Sequence, residues 1–237
     1  MRTFYDCLEM VKEVERDLAE MGLEYQSYSV QDQVVKDDPD YVTKELTVYG
    51  YILYPQNNEF KNAKPMVAYK QNGNYINWVY AEAIDRLNLL LTFKNPGRAW
   101  IENEQFWSPF LRDDRFSYTY AERWQEQLSY IINELSLHPN TRQAVMTMYD
   151  RHQDMLNWGG RDRVPCSLTY HFLLRRNLLH LIYNQRSCDF KKFFSADVYC
   201  TLQLLEYVAK ELNVKIGSFT HIINSLHVFK QDVEGVF

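Results

Sequence analysis

Cys166 stands in RVPCSLTYHF (residues 163–172), where an arginine-bearing turn runs through Pro165 into alternating apolar and polar residues. A cysteine at the mouth of a strand has two readings. It is a small buried hydrophobe, or a thiolate whose pKa nearby arginines lower. Downstream, YNQRSCDF puts Gln185, Arg186, Ser187 and Asp189 at the end of another strand. An arginine beside a serine hydroxyl suits a phosphate through charge-assisted hydrogen bonds, and serves equally as a solvated strand end. Arg142, in HPNTRQAV, divides the same way. His227, in SLHVF, is a satisfied core histidine or a ligand. Asp85, amid the apolar VYAEAIDRLNLLL, lies on the polar face of a helix or nears a buried face, where it must be paired or functional. Singly these signals are weak. Together they are the inventory of an enzyme working on a small phosphorylated substrate.

The elements that must position these residues are legible from periodicity. Residues 4–21 carry apolar positions at helical spacing and stop at Gly22. Residues 45–54 alternate as a strand, 56–73 read as a polar loop, and 76–93 read as a helix ending at the turn KNPG. A second amphipathic helix is expected over 122–135 and a strand over 143–149. Strands over 167–174 and 178–184 are joined by RRN as a hairpin. A long helix over 196–212 shows the stripe Val198, Leu202, Leu205, Val208 and Leu212, and a last strand follows over 214–225. With no repeat or composition break, residues 1–237 read as one α/β domain.

Composition narrows the function classes. A chain of 237 residues with 46% hydrophobic and 24% charged residues can bury a substantial core. The net charge of −5 argues against general nucleic-acid binding, though a local arginine cluster still holds a small anion. No run reaches membrane-span length, and MRTFYDCLEM lacks a signal-peptide core. Cys7, Cys166, Cys188 and Cys200 form no CxxC pair and no zinc spacing, so free thiols, no metal and a cytoplasmic location are expected.

The order and spacing resemble the thymidylate synthase superfamily, which includes the phage deoxycytidylate hydroxymethylases. The resemblance rests on VPCSLTYHF, NQRSCDF, FFSADVYCTLQLLEYVA and IGSFTHIINSLHVF, and above all on Pro165-Cys166 followed by Arg186-Ser187-Cys188-Asp189. DRFSYTYAERWQEQL resembles the G-x-Y-G-x-x-W-R stretch and sets Tyr120 on its tyrosine. DRLNLLLTFKN resembles the E-L-L-W-F-L-x-G-x-x-N helix, setting Asp85 on the glutamate and Asn95 on the asparagine. It is clear over residues 85–229.

What the resemblance implies is a twisted mixed β-sheet flanked by helices, an α/β (α+β) fold that dimerises sheet to sheet. It implies that the Cys166 thiolate adds to C6 of a pyrimidine nucleoside monophosphate, turning C5 into an enamine-like carbon. C5 then attacks the one-carbon unit of 5,10-methylene-tetrahydrofolate; water yields hydroxymethyl and hydride yields methyl. Asp85 and Tyr120 join Cys166 as catalytic residues. Arg186, Ser187 and an Arg142 from the second subunit hold phosphate and lower the thiol pKa. Gln185 and His227 contact the nucleotide, and Trp107 and Asp189 the folate. Asp197 falls where thymidylate synthases carry a base-reading asparagine. A carboxylate there suits the cytosine 4-amino group, so dCMP hydroxymethylation for modified viral DNA is the implied function. Asp197 is otherwise a helix N-cap. Departures are Gln143 for a second phosphate arginine, Asp85 for glutamate, Ala121 for glycine and Phe229 for a sugar-contacting tyrosine. They leave room for a methyltransferase on dUMP or dCMP, or a non-catalytic nucleotide-binding homologue.

Overall fold

The computed structural model describes residues 1–30, 33–88, 99, 102–111, 113, 116–157 and 163–232. Asn95 lies outside them. Helix α1 (Cys7–Met21) starts where Asp6 caps it, its Oδ1 accepting from the Leu8 and Glu9 amides at 2.9 and 3.1 Å. The helix begins later than its apolar pattern because β1 (Arg2–Phe4) is claimed by the sheet. Strand β2 (Leu23–Gln26) precedes a small ladder of β3 (Ser29–Val30) with β4 (Gln33–Val34), and β5 (Val42–Leu53) follows.

The stretch expected to be loop contains α2 (Ala63–Ala68). It is too short to show a period, and only Met66 and Val67 are buried. Helix α3 (Gly73–Asn88), the short α4 (Glu104–Trp107) and α5 (Tyr120–Leu137) come next. Thr119 and Glu122 form a capping box at the start of α5.

Strands β6 (Val145–Thr147), β7 (Ser167–Arg175) and β8 (Leu178–Gln185) are antiparallel neighbours. The β7–β8 turn sets Arg176 and Asn177 both at positive φ, 50° and 61°, which matches the twist of a tight hairpin. After β9 (Cys188–Asp189) a π-helical turn (Phe190–Phe194) runs into α6 (Ser195–Glu211), then β10 (Lys215–Phe229). Strands β8 and β10 are parallel, so the chain needs a crossover, and α6 supplies it.

The sheet runs β1-β5-β10-β8-β7-β6, with β2 also on β5 and β9 on β10. It is mixed and flanked by helices. Tyr170, Phe172, Leu181 and Tyr183 turn one face into a core shared with Trp124, Leu128 and Leu202. Their alternates on the other face, Leu173, Ile182 and Ile222 among them, are half-buried in the single chain. At the β10 bulge Gly217 packs closely under the His180 ring, which a Cβ would meet at 2.5 Å, so a larger residue there forces the ring to move.

Candidate active site

Cys166 immediately precedes β7 and is tied from three directions. Its amide donates to the Tyr120 hydroxyl at 3.2 Å, and the Ser167 amide donates to the same oxygen at 3.3 Å. Its carbonyl accepts from the Arg186 amide at 2.8 Å. The Arg186 guanidinium grips the residues just before it, Nε donating to Pro165 O and Nη2 to Val164 O, both at 2.8 Å. Of the four cysteines only Cys166 is half-exposed; Cys7, Cys188 and Cys200 are buried.

A narrow cavity of about 60 Å³ is lined by Cys166, Ser187, Asp189, Asp197 and Tyr120, with aromatic walls from Trp78, Trp107, Tyr118 and Phe193. Arg86 and Arg163 line it too. An adjoining cavity shares Arg86, Trp107, Tyr118, Tyr120 and Arg163, and adds Glu82 and Asp85. Asp85 is buried, and its Oδ2 accepts from the Ala99 amide at 2.7 Å. It therefore sits one cavity away from the thiol rather than beside it.

Asp197 is not the helix cap. It occupies the third position of α6, buried, with Oδ2 accepting from Gln185 Nε2 at 2.6 Å and Oδ1 3.8 Å from Arg86 Nη2. The π-helical turn that leads into α6 is capped by Asp189, whose Oδ1 accepts from the Lys191 and Lys192 amides at 3.0 Å. Burial pushes both carboxyls up to about 6; Arg86 and Gln185 oppose this at Asp197, and Lys192 opposes it at Asp189.

Behind Asp197 runs a directed hydrogen-bond chain. Gln185 gives its amide N–H to Asp197, so its Oε1 takes the Nε2–H of His221 at 3.0 Å. His221 Nδ1 is then the acceptor for the Tyr51 hydroxyl, also at 3.0 Å. Burial holds His221 down to about 3, so the ring is neutral, as this chain requires.

The thiol itself corrects one expectation. Arg186 and Arg163 do pull the Cys166 pKa down, but burial outweighs them and Asp197 adds to it, so the net shift is upward. Arg142 is exposed beside β6 and does not line the thiol cavity. Nor does His227, whose Nδ1 lies 3.5 Å from Ser225 Oγ and whose strand partner is Asp189. Trp107 lies under the Arg163 guanidinium at 4.6 Å.

Sequence reasoning passed over Arg86, Trp78 and His221, and read Arg163 only as part of the arginine-bearing turn before Cys166. Arg86 was the findable one. It adjoins Asp85 in the same apolar stretch, at i+4 from Glu82, and its Nε bonds Glu82 Oε1 at 2.8 Å.

The thymidylate synthase family model matches residues 69–237. The chain belongs to the thymidylate synthase family. Among family relatives, a protein of Bacillus phage SP01 named deoxyuridylate hydroxymethyltransferase is 30% identical over 212 residues, covering 77% of this chain and 54% of its own. A "Putative thymidylate synthase" of Methanosarcina barkeri is 32% identical over 123 residues, 49% of this chain and 55% of its own. The thymidylate synthase of Mycoplasma pneumoniae is 26% identical over 124 residues, 49% of this chain and 41% of its own. The chain spans about half the length of the first two. The matched range includes Cys166, Arg186, Asp197 and strands β6 to β10, while β1 to β5 lie before it.

Proposed function

We propose that this chain is a one-carbon transferase acting at C5 of a pyrimidine nucleoside monophosphate, specifically a dCMP hydroxymethylase. The observation that carries the reading is one cavity lined by both the half-exposed Cys166 and the buried Asp197. Cys166 Sγ adds to C6, and C5 gains the electron density to form a new carbon–carbon bond. Methylene-tetrahydrofolate, when bound, supplies the one-carbon unit. The aromatic walls suit a flat heterocycle, and Trp78 Nε1, buried with no partner among the described residues, offers it a donor.

Asp197 presents oxygen acceptors and so suits an exocyclic amine, the 4-amino group of cytosine. Ser187, Arg186 and an Arg142 from a second copy hold the phosphate, while Gln185 orients Asp197. Asp85 serves proton transfer from the adjoining cavity through water. Asp189 and Trp107 border the folate side, and His227 contacts the sugar. The half-buried apolar face of the sheet is the surface on which two copies meet, in the cytoplasm.

A second reading is favoured by the phage relative, whose name specifies deoxyuridylate. One experiment separates the two. Pure protein is incubated with methylene-tetrahydrofolate and dCMP or dUMP tritiated at C5, with Cys166→Ala as control. Release from dCMP, lost in the control, is the expected result, with mass analysis showing a hydroxymethyl rather than a methyl product. Release from dUMP alone selects the second reading. Binding of both nucleotides without release removes the transferase reading.

A further inference from the structure

Arg86 is buried on α3 with 5% of its surface exposed, and it lines both cavities. Its guanidinium lies 4.5 Å over the Tyr120 ring and 5.8 Å from that of Trp124. Nε is taken by Glu82 at 2.8 Å, and Nη2 faces Asp197 Oδ1 at 3.8 Å. Nη1 is buried and bonded to nothing among the described residues. An unpaired guanidinium N–H in such a place is costly, and a ligand acceptor would relieve the cost.

Resting on the cytidine reading above, we propose that Arg86 is a specificity-determining residue: it keeps Asp197 an acceptor and supplies the neighbouring donor, so that the pair reads a 4-aminopyrimidine edge. The chemistry is complementary on both atoms. The cytosine 4-amino group donates to Asp197, and its N3 lone pair accepts from Arg86 Nη1. In the same pose uracil sets O4 against the carboxylate and N3–H against the guanidinium, like against like.

The chain from Tyr51 through His221 and Gln185 supports this, because every link donates toward Asp197 and leaves its other oxygen for the base. Arg86 also opposes the burial that favours a protonated Asp197. Without the cation the carboxyl would hold its proton more readily, offer one donor and one acceptor, and accept a 4-oxo group.

The test is the ratio of kcat/KM for tritium release from dCMP and from dUMP in wild type, Arg86→Met and Arg86→Lys. Arg86→Met is expected to lower the dCMP/dUMP ratio roughly 10-fold or more, as for loss of a buried polar recognition pair. Arg86→Lys, which keeps the charge, is expected to retain most of the ratio. The double variant Arg86→Met with Glu82→Gln removes the cation together with an anionic partner. It gives the same reading should the single variant fold poorly. Equal loss on both nucleotides, or an unchanged ratio in either variant lacking the cation, overturns the inference and leaves the cytidine reading intact. Wild type acting on dUMP alone, or on neither nucleotide, overturns the cytidine reading itself and this inference with it.

Discussion

The Tyr120 hydroxyl accepts the amide protons of both Cys166 and Ser167, at 3.2 and 3.3 Å, and so joins the start of α5 to the start of β7. A side chain from the first helical turn of one element thereby sets the backbone of the proposed nucleophile.

Replacing Tyr120 with phenylalanine keeps the ring under Arg86 and removes only the acceptor. Two amide protons then lose their partner, at a cost of about 1–3 kcal/mol. Thermal unfolding is expected to show that loss, and C5 tritium release is expected to fall further than stability alone explains. Unchanged release would mean that the two hydrogen bonds do not set the position of Cys166.

Arg186 both grips the turn before Cys166 and lowers its thiol pKa. Arg186→Leu removes a cation from beside a group that is more stable as an anion when the cation is present. The thiol pKa is therefore expected to rise still further. Iodoacetamide labelling of Cys166, followed by mass spectrometry across pH, should shift its midpoint alkaline. An acid shift would contradict the electrostatic assignment.

His221 is held neutral in the fold, with its pKa pushed from the ordinary 6.5 down to about 3 by burial. Below about 6.5 the unfolded chain binds a proton that the folded chain refuses. Stability is therefore lost as pH falls through that window, by up to about 1.4 kcal/mol per pH unit from this residue. His221→Gln removes the titration at some cost at neutral pH. Urea unfolding at pH 7 and pH 5 is expected to show the gap between wild type and variant narrowing in acid. A gap that widens would rule out a neutral His221.

Much of this arrangement was legible before any coordinates. The RRN hairpin, α6 and the long β10 follow from apolar period and turn chemistry, which act over a few residues. Cys166 and Asp197 emerged because their spacing resembles a known pattern. What stayed hidden depends on partners far apart in the chain. His221 looks like any strand histidine until β8 lies beside β10 and brings Gln185 to it, 36 residues away in sequence. Asp189 gave no sign that it would cap the π turn, so Asp197 carried a capping alternative it did not need. Strand β1 was hidden in a helical pattern because its pairing with β5 is long-range, and α2 because two buried residues make no period.

Cys166 is the half-exposed thiol, and the other three cysteines lie buried in separate parts of the core: Cys7 on α1, Cys188 on β9 and Cys200 on α6. The molecule thus carries its own clock for opening. In the folded protein a thiol reagent should modify Cys166 ahead of the other three, and each later site dates the exposure of a different element. Labelling order would then map which part of the domain loosens first, without adding a probe.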